Sequence, residues 1–282
     1  MSTSDAATGD PPGHAPGAIL LAGAGKMGGA LLHGWVARGL DPAQVRVIEP
    51  QPGPEFDALT SRGLRLNPAP TAAGRIAAIV LAVKPQVAPE AIPALVPFVA
   101  STTVVVSIMA GRTIAFLEAA LRRGTAVVRA MPNMPAAIGR GITVAVPNAG
   151  VSQQQRELVH DLLSATGAVE WIADETLMDA VTAVSGSGPA YVFLLAEALA
   201  RAGVAAGLPH ELAGRLARAT VAGSGELLHG SPLSPDVLRQ NVTSPGGTTA
   251  AALAVLMAED GLAPLLEKAV VAAARRSREL AS

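Results

Sequence analysis

The residue pattern changes near Glu175, and this change limits the possible folds more than any other feature of the chain. From Gly17 to that point, short β-branched runs alternate with helical stretches, which is typical of a parallel sheet covered by helices. After it, long segments rich in Ala and Leu replace the β-branched runs. We therefore predict an α/β chain in which an N-terminal doubly wound sheet is followed by a C-terminal, all-helical domain.

The apolar runs and their periodicity define the predicted elements. The predicted strands are 18–22, 45–49, 76–83, 103–107, 126–129 and 142–146. The helices predicted in the first half lie near 26–39, 85–98, 113–122 and 152–165. Those predicted in the second half lie near 187–206, 209–229, 247–258 and 261–280. The segment 54–74 contains too many Pro and Gly residues for an assignment.

Composition excludes several classes of function. Half of the residues are hydrophobic but only 2% are aromatic, so the core must consist mainly of Ala, Val, Leu and Ile. The net charge of −1 provides no broad field for nucleic acid or anionic lipid. The absence of Cys removes disulfides, thiolate nucleophiles and iron–sulfur clusters. The pair Glu226 and His229 has no second copy and fits a solvated helix face, so no metal site is predicted.

The N-terminal segment and one uncharged stretch bear on localisation. Residues 1–16 are rich in Ser, Thr, Asp, Gly and Pro and lack a secretory pattern, which predicts a disordered tail. No charge occurs between Glu90 and Arg112, but Pro93 and Pro97 divide this stretch into pieces too short to span a bilayer. We therefore expect a cytoplasmic protein that does not bind membranes.

A glycine-rich loop follows the first predicted strand. Gly23-Ala24-Gly25-Lys26-Met27-Gly28 has the G-x-G-x-x-G spacing and opens a predicted helix, the context in which this motif binds a dinucleotide pyrophosphate. Glu49 ends the second predicted strand, where a carboxylate can accept hydrogen bonds from the adenine-ribose hydroxyls. A glycine turn without a ligand is the alternative. Met27 replaces the Ser or Thr of a phosphate-loop NTPase, which argues against that class.

Two further loops follow predicted strands of the first half. Lys84-Pro85-Gln86 lies at the carboxyl edge where such sheets bind ligands, although a solvated lysine beside a helix-starting proline is an equally good interpretation. The segment Arg129-Ala130-Met131-Pro132-Asn133-Met134-Pro135 contains two prolines that fix a loop. A rigid turn with nothing bound is the alternative there.

Two segments of the second half differ from the surrounding Ala/Leu sequence. They are Ser185–Tyr191 and Val242–Thr249, and each places hydroxyl and glycine residues before a predicted helix. Exposed backbone N–H groups at such a helix start can bind a carboxylate or phosphate, while ordinary helix capping is the alternative. Neither Ser187 nor Ser224 has the glycine two positions earlier that a hydrolase nucleophile elbow needs.

Together these segments resemble the Δ1-pyrroline-5-carboxylate reductase family from Gly17 onward. The resemblance rests on the glycine loop, the Ala82-Val83-Lys84-Pro85 run, Arg129 to Asn133, Asp179 to Tyr191, and Asn241 to Thr249. It implies a Rossmann-like dinucleotide-binding domain at 17–174 and a helical substrate-binding and dimerisation domain at 175–282. The active site would lie between the cofactor edge and the helices, and the chain would form a homodimer or higher homo-oligomer, which also suits the abundance of apolar helix positions.

The resemblance also implies roles for individual residues. The residues expected to bind NADPH or NADH are Gly23, Gly25, Lys26, Met27, Gly28, Glu49, Ala82, Val83, Lys84, Pro85 and Asn241. Those expected to bind the substrate are Glu175, Ser244, Gly247, Thr248 and Thr249, with Thr249 as the catalytic residue and Glu175 near the ring nitrogen. Many relatives carry Ser, Arg or Asn after the second strand to receive a 2′-phosphate. This chain has Glu49-Pro50-Gln51 there, which argues against strict use of NADPH.

The implied reaction is reduction of the cyclic imine 1-pyrroline-5-carboxylate to L-proline, the last step of proline biosynthesis. It needs a hydride at carbon and a proton on nitrogen, which agrees with a chain that lacks Cys and metal-ligand clusters. One alternative is a β-hydroxyacid dehydrogenase, for which Lys268 is the available lysine of the helical half. The other is a non-catalytic dinucleotide-binding regulator, which would bind NAD(H) without turning over an imine.

Overall fold

A computed structural model describes residues 17–281 of the chain, so the predicted tail at 1–16 lies outside the described residues. The described chain forms two compact units. One extends to Gly186 and takes up the chain again from Arg276, and the other is Ser187–Arg275. The boundary between the units, at 186/187, therefore lies 12 residues after the predicted domain boundary at 174/175.

The first unit is built on an eight-stranded sheet in the order β3-β2-β1-β4-β5-β6-β7-β8. The strands are β1 Ala18–Ala22, β2 Val45–Ile48, β3 Arg65–Leu66, β4 Ile76–Leu81, β5 Val104–Ser107, β6 Ala126–Met131, β7 Gly141–Pro147 and β8 Gly167–Trp171. The chain leaves β1 towards β2 on one side and returns to β4 on the other, which makes a topological switch point between β1 and β4. The predicted doubly wound sheet is confirmed.

The central strands have no solvent-facing side. Every residue of β1, β4 and β5 is buried, because helices cover both faces of a parallel sheet. One face packs on Trp35, whose indole nitrogen donates to the carbonyl oxygen of Leu162 at 2.7 Å. The other face packs on Ile92 and Leu117. These two apolar layers hold the strand ends, and hence the loops after them, in fixed positions.

The helices of the first unit are α1 Lys26–Ala37, α2 Asp57–Thr60, α3 Ala88–Leu95, α4 Ile114–Ala120, α5 Gln153–Ser164 and α6 Met178–Val181. The helices α1, α3, α4 and α5 begin within three residues of predicted ones, whereas the four-residue helices α2 and α6 are additional to the prediction. Thr113 caps α4 by accepting from the N–H of Phe116, and Ser152 caps α5 in a reciprocal pair with Gln155. A five-residue π-helical turn, Thr182–Gly186, follows α6 and ends the N-terminal segment of the first unit.

The structure corrects the predicted sheet in two respects. β7 runs antiparallel to β6, because the segment 132–140 between them is too short for a crossover connection. The edge strands β3 and β8 are additional to the predicted ones. β3 falls in the unassigned segment 54–74, and β8 alternates half-buried and exposed positions with Val169 as its one β-branched residue.

The second unit consists of helices. They are α7 Gly188–Ala205, α8 His210–Gly230, α9 Pro235–Asn241, α10 Thr248–Leu256 and α11 Leu262–Ala281, the last turns of which belong to the first unit. The short helix α9 is additional to the predicted ones, since its seven residues offer too little periodicity to detect. Neither α7 nor α10 contains a residue that the chain itself buries.

Candidate functional site

The glycine loop joins β1 to α1, and its three glycines are required for different reasons. Gly23 has a φ of +86°, and a Cβ there would lie 2.9 Å from the carbonyl oxygen of Ala82. A Cβ on Gly28 would overlap the carbonyl oxygen of Gly23. A Cβ on Gly25 would meet nothing within 4 Å, so it would project into open space. Gly23 and Gly28 therefore shape the turn, whereas Gly25 keeps its outer surface open to a ligand.

The start of α1 offers unoccupied backbone donors beside Gly25. Gly25 is the N-cap residue and no side chain caps the helix, whose first residues are Lys26 and Met27. The first N–H groups of a helix have no partner within it, and its dipole favours an anion at this end. An open glycine surface next to these donors fits a pyrophosphate, so the residues present suit a dinucleotide.

A cleft of about 760 Å³ opens at the switch point, beyond the carboxyl ends of β1, β2 and β4. The predicted cofactor residues on its wall are Gly23, Gly25, Glu49, Ala82, Val83 and Lys84. The N–H of Ala82 donates to the carbonyl oxygen of Ala22 at 2.8 Å, which joins the ends of β1 and β4. Pro85 starts a single 3₁₀ turn, and the Arg112 guanidinium donates to its carbonyl oxygen at 3.0 Å. The sheet therefore brings sequence-distant cofactor residues together at one edge.

Glu49 follows β2 and bonds to the glycine loop. Its Oε2 accepts from the N–H of Ala24 at 2.8 Å, and its Oε1 accepts from the N–H of Gln51 at 3.2 Å. The backbone of Glu49 pairs with the side chain of Asn67, a residue that no sequence motif marks as functional. The structure thus places the predicted ribose-binding carboxylate on the wall of the cleft.

Glu175 has protein partners in the first unit. Its Oε1 accepts from Arg129 at 2.8 Å and from the N–H of Ile114 at 2.8 Å. Arg129 is buried near the end of β6, where its side chain is 6% exposed. The carboxylate therefore links β6 to the start of α4. Its predicted approach to the ring nitrogen stays a prediction.

The segment before α10 has the geometry of an anion cradle. Gly246 has a φ of +70°, and Gly247 is an N-cap residue that no side chain caps. The hydroxyl of Ser244 lies 2.5 Å from the position of a Cβ built on Gly247. The hydroxyl therefore lies beside Gly247, directly before α10, whose first N–H groups have no partner within the helix. Ser244, Gly247, Thr248 and Thr249 are thus grouped around one helix start, as predicted from the chain order.

Asn241 ends α9, within the second unit. The N–H of Thr243 donates to the carbonyl oxygen of Gln240, and the Thr243 hydroxyl donates to that of Arg239. These bonds fix the turn that leads from Asn241 to Ser244. Among residues 17–281, no cluster of three or more His, Asp or Glu side chains is arranged to hold a metal ion.

The fold and the cofactor edge define an NAD(P)-dependent oxidoreductase. A family model described as "NADP oxidoreductase coenzyme F420-dependent" matches residues 18–111, and one described as "Pyrroline-5-carboxylate reductase dimerisation" matches residues 175–280. The pyrroline-5-carboxylate reductase of Pseudomonas aeruginosa is 42% identical over 266 residues, covering 93% of this chain and 96% of that protein. The chain belongs to the pyrroline-5-carboxylate reductase family.

Solved structures agree with this assignment. A pyrroline-5-carboxylate reductase from Coxiella burnetii superposes with a TM-score of 0.86 at 33% identity, covering 94% of this chain and 99% of that one. The pyrroline carboxylate reductase of Plasmodium falciparum, solved with NADP bound, has a TM-score of 0.78 at 31% identity, covering 96% and 100%. The resemblance noted in the sequence is therefore confirmed at the level of family and fold.

Proposed function

We propose that this chain reduces 1-pyrroline-5-carboxylate to L-proline with NAD(P)H, the last step of proline biosynthesis. The observation that carries the proposal is the uncapped start of α10, with the Ser244 hydroxyl beside its N-cap residue Gly247, within the region that matches the reductase dimerisation model. This arrangement suits a small carboxylate, and the family relatives carry the name of this activity.

Each part of the substrate has a partner in the proposed site. The first N–H groups of α10, at Thr248 and Thr249, bind the carboxylate together with the Ser244 hydroxyl. Gly247, whose own N–H donates to the carbonyl oxygen of Ser244 at 3.1 Å, leaves room for it. The Thr249 hydroxyl hydrogen-bonds the ring nitrogen and aligns the C=N bond. Catalysis is then chiefly the orientation of the imine, and water supplies the proton.

The cofactor is assigned to the first unit. Gly25, Lys26 and Met27 hold the pyrophosphate at the start of α1, while Ala82, Val83 and Lys84 line the cleft towards the nicotinamide and Pro85 begins the turn that follows them. Asn241 is assigned to the cofactor from the helical unit. When bound, the nicotinamide supplies the hydride that reduces the C=N bond.

We further propose that two copies of the chain form a homodimer through the helical unit. Phe193 and Leu194 are each 56% exposed and Leu227 is 70% exposed, which is unusual for large apolar side chains. Among the described residues, one continuous helical segment, Glu175–Ala205, is long and apolar enough by length and composition to cross a membrane. A second subunit that covers these side chains would explain their exposure, and the match to a dimerisation model supports this proposal. We also propose that the protein is cytoplasmic and binds neither membrane nor nucleic acid.

The decisive experiment is a coupled assay with purified protein. We expect oxidation of NADH or NADPH that depends on pyrroline-5-carboxylate and yields proline in equal amount. Gly247→Val should abolish turnover and proline inhibition, because its side chain occupies the position of the Ser244 hydroxyl and closes the cradle. Cofactor oxidation that does not depend on the imine, or proline inhibition that persists in the variant, would contradict the assignment.

A further inference from the structure

We propose that Glu49 makes this chain selective for NADH over NADPH, and that Asn67 is the positioning residue for Glu49. The inference rests on the proposed function, because it concerns the cofactor of the same site.

The carboxylate of Glu49 is held in place by backbone donors. One oxygen accepts from the N–H of Ala24 in the glycine loop at 2.8 Å, and the other accepts from the N–H of Gln51 at 3.2 Å. In this fold the adenine ribose binds beside an acidic residue at the end of the second strand. A ribose diol can donate hydrogen bonds to this carboxylate, whereas a 2′-phosphate would bring like charge against it.

Asn67 fixes the backbone on which Glu49 is mounted. The N–H of Glu49 donates to Asn67 Oδ1 at 2.9 Å, and Asn67 Nδ2 donates to the carbonyl oxygen of Glu49 at 2.9 Å. Asn67 itself has a φ of +48°, and its N–H donates to the carbonyl oxygen of Val47 at 2.7 Å. Its side-chain amide therefore continues the β2–β3 pairing beyond Leu66, the last residue of β3. Asn is suited to this position, because it tolerates a left-handed backbone and carries both a donor and an acceptor.

The neighbouring arginines are engaged elsewhere. The Arg46 guanidinium donates to the carbonyl oxygens of Ala43 at 2.7 Å and Ala73 at 3.0 Å, and Arg65 donates to that of Ala72 at 2.7 Å. Burial, with a smaller contribution from Arg65, lowers the pKa of Arg46. The charge that would repel a 2′-phosphate is therefore fixed in place, while the two cations on β2 and β3 are bound to main-chain oxygens.

The test measures the dissociation constants of NADH and NADPH by nicotinamide fluorescence, without imine and at fixed ionic strength. We expect NADH to bind at least about tenfold more tightly, which corresponds to about 1.4 kcal/mol. Equal affinities, or tighter binding of NADPH, would overturn the proposal. Because no turnover is measured, failure of the reductase assay leaves this result interpretable by itself.

Glu49→Gln separates charge from hydrogen bonding, since an amide oxygen can still accept from Ala24. We expect NADPH affinity to rise about fivefold or more and NADH affinity to change less than about threefold, because the repulsion is removed while the diol keeps an acceptor. Glu90→Gln is the matched control, because it removes a carboxylate from the wall of the same cleft. Equal shifts of the NADH/NADPH ratio in the two variants would show that the overall charge of the cleft decides, and would overturn the role of Glu49.

Asn67→Gly tests the positioning role, since glycine accepts the positive φ without strain but lacks the amide. We expect the NADH/NADPH affinity ratio to fall about threefold or more, with KM for NADH rising and kcat changing less. Asn67→Asp keeps the acceptor for the Glu49 N–H and should recover part of the ratio. An unchanged ratio in Asn67→Gly, or loss of all nucleotide binding in both variants, would contradict a positioning role.

Discussion

The two units use similar aliphatic side chains in opposite ways. In the sheet unit, every residue of β1 and β4 is buried by helices of the same chain. In the helical unit, α7 and α10 contain no residue that the chain itself buries. The sheet unit therefore completes its core within one chain, whereas the helical unit leaves apolar surface for another molecule to cover.

A glutamate introduced in place of an apolar residue should have the largest effect of the proposed variants, and its effect should differ between the two units. Leu21 is 0% exposed in β1, so we expect Leu21→Glu to prevent folding, because a buried carboxylate would have no partner. Leu195 is 51% exposed and lies in line with Val192 and Leu199 on α7. We expect Leu195→Glu to give folded monomers without activity, measured by circular dichroism and sedimentation velocity. A Leu195→Glu variant that stays dimeric and active would remove this face of α7 from the proposed interface.

The same contrast explains which elements the sequence could predict. Strands such as Ile76–Leu81 are continuous aliphatic runs because both of their faces are buried, and this signal is local. Neither face of β8 is fully buried, and its Glu170 is exposed. Its sequence therefore lacks the continuous aliphatic run that reveals the central strands. The reversed direction of β7 depends on its pairing with β6, which a pattern of apolar residues does not encode.

The candidate site likewise contains features that the local sequence reveals and contacts that it does not. The positions of the glycine loop and of the Ser244–Thr249 segment at helix starts could be predicted, because glycine and hydroxyl residues before a helix are a local signal, and their binding roles stay predictions. The contacts of Asn67 with Glu49 and of Arg129 with Glu175 join residues that are far apart in sequence. They arise only when the sheet brings β3 beside β2 and when β6 ends near the turn before α6, so local patterns could not reveal them.

Thr249→Ala tests whether the helical unit carries the chemistry while the sheet unit carries the cofactor. We expect kcat/KM for pyrroline-5-carboxylate to fall about 100-fold, because a donor aligned with the reacting nitrogen is lost. The dissociation constant for NADH should remain within about twofold, since the hydroxyl is assigned to the substrate. Steady-state kinetics and fluorescence titration measure the two quantities on one preparation. Wild-type kcat and KM in this variant would exclude the assigned role.

Gly25→Ala and Gly28→Ala test the cofactor side of the comparison within one loop. A Cβ at Gly25 meets open space, so we expect a stable fold and NADH binding weakened about tenfold by the methyl group at the pyrophosphate. A Cβ at Gly28 overlaps a backbone carbonyl oxygen, so this variant should lose stability by about 1–3 kcal/mol. Thermal unfolding and ligand titration separate the effects. Unchanged NADH affinity in Gly25→Ala would mean that the pyrophosphate binds elsewhere.

The smallest effect on turnover is expected for Glu175→Gln, which distinguishes the predicted substrate contact from the contacts seen in the structure. The amide can still accept a hydrogen bond from Ile114, but the buried Arg129 loses its counter-charge. Since hydrogen bonds to charged groups contribute about 1.5–3 kcal/mol, we expect a loss of stability of that order and a change in kcat below about threefold. Arg129→Met with Glu175→Gln should recover part of the stability, because the unpaired guanidinium is removed. A large loss of kcat at unchanged thermal stability would instead favour a direct role of Glu175 at the ring nitrogen.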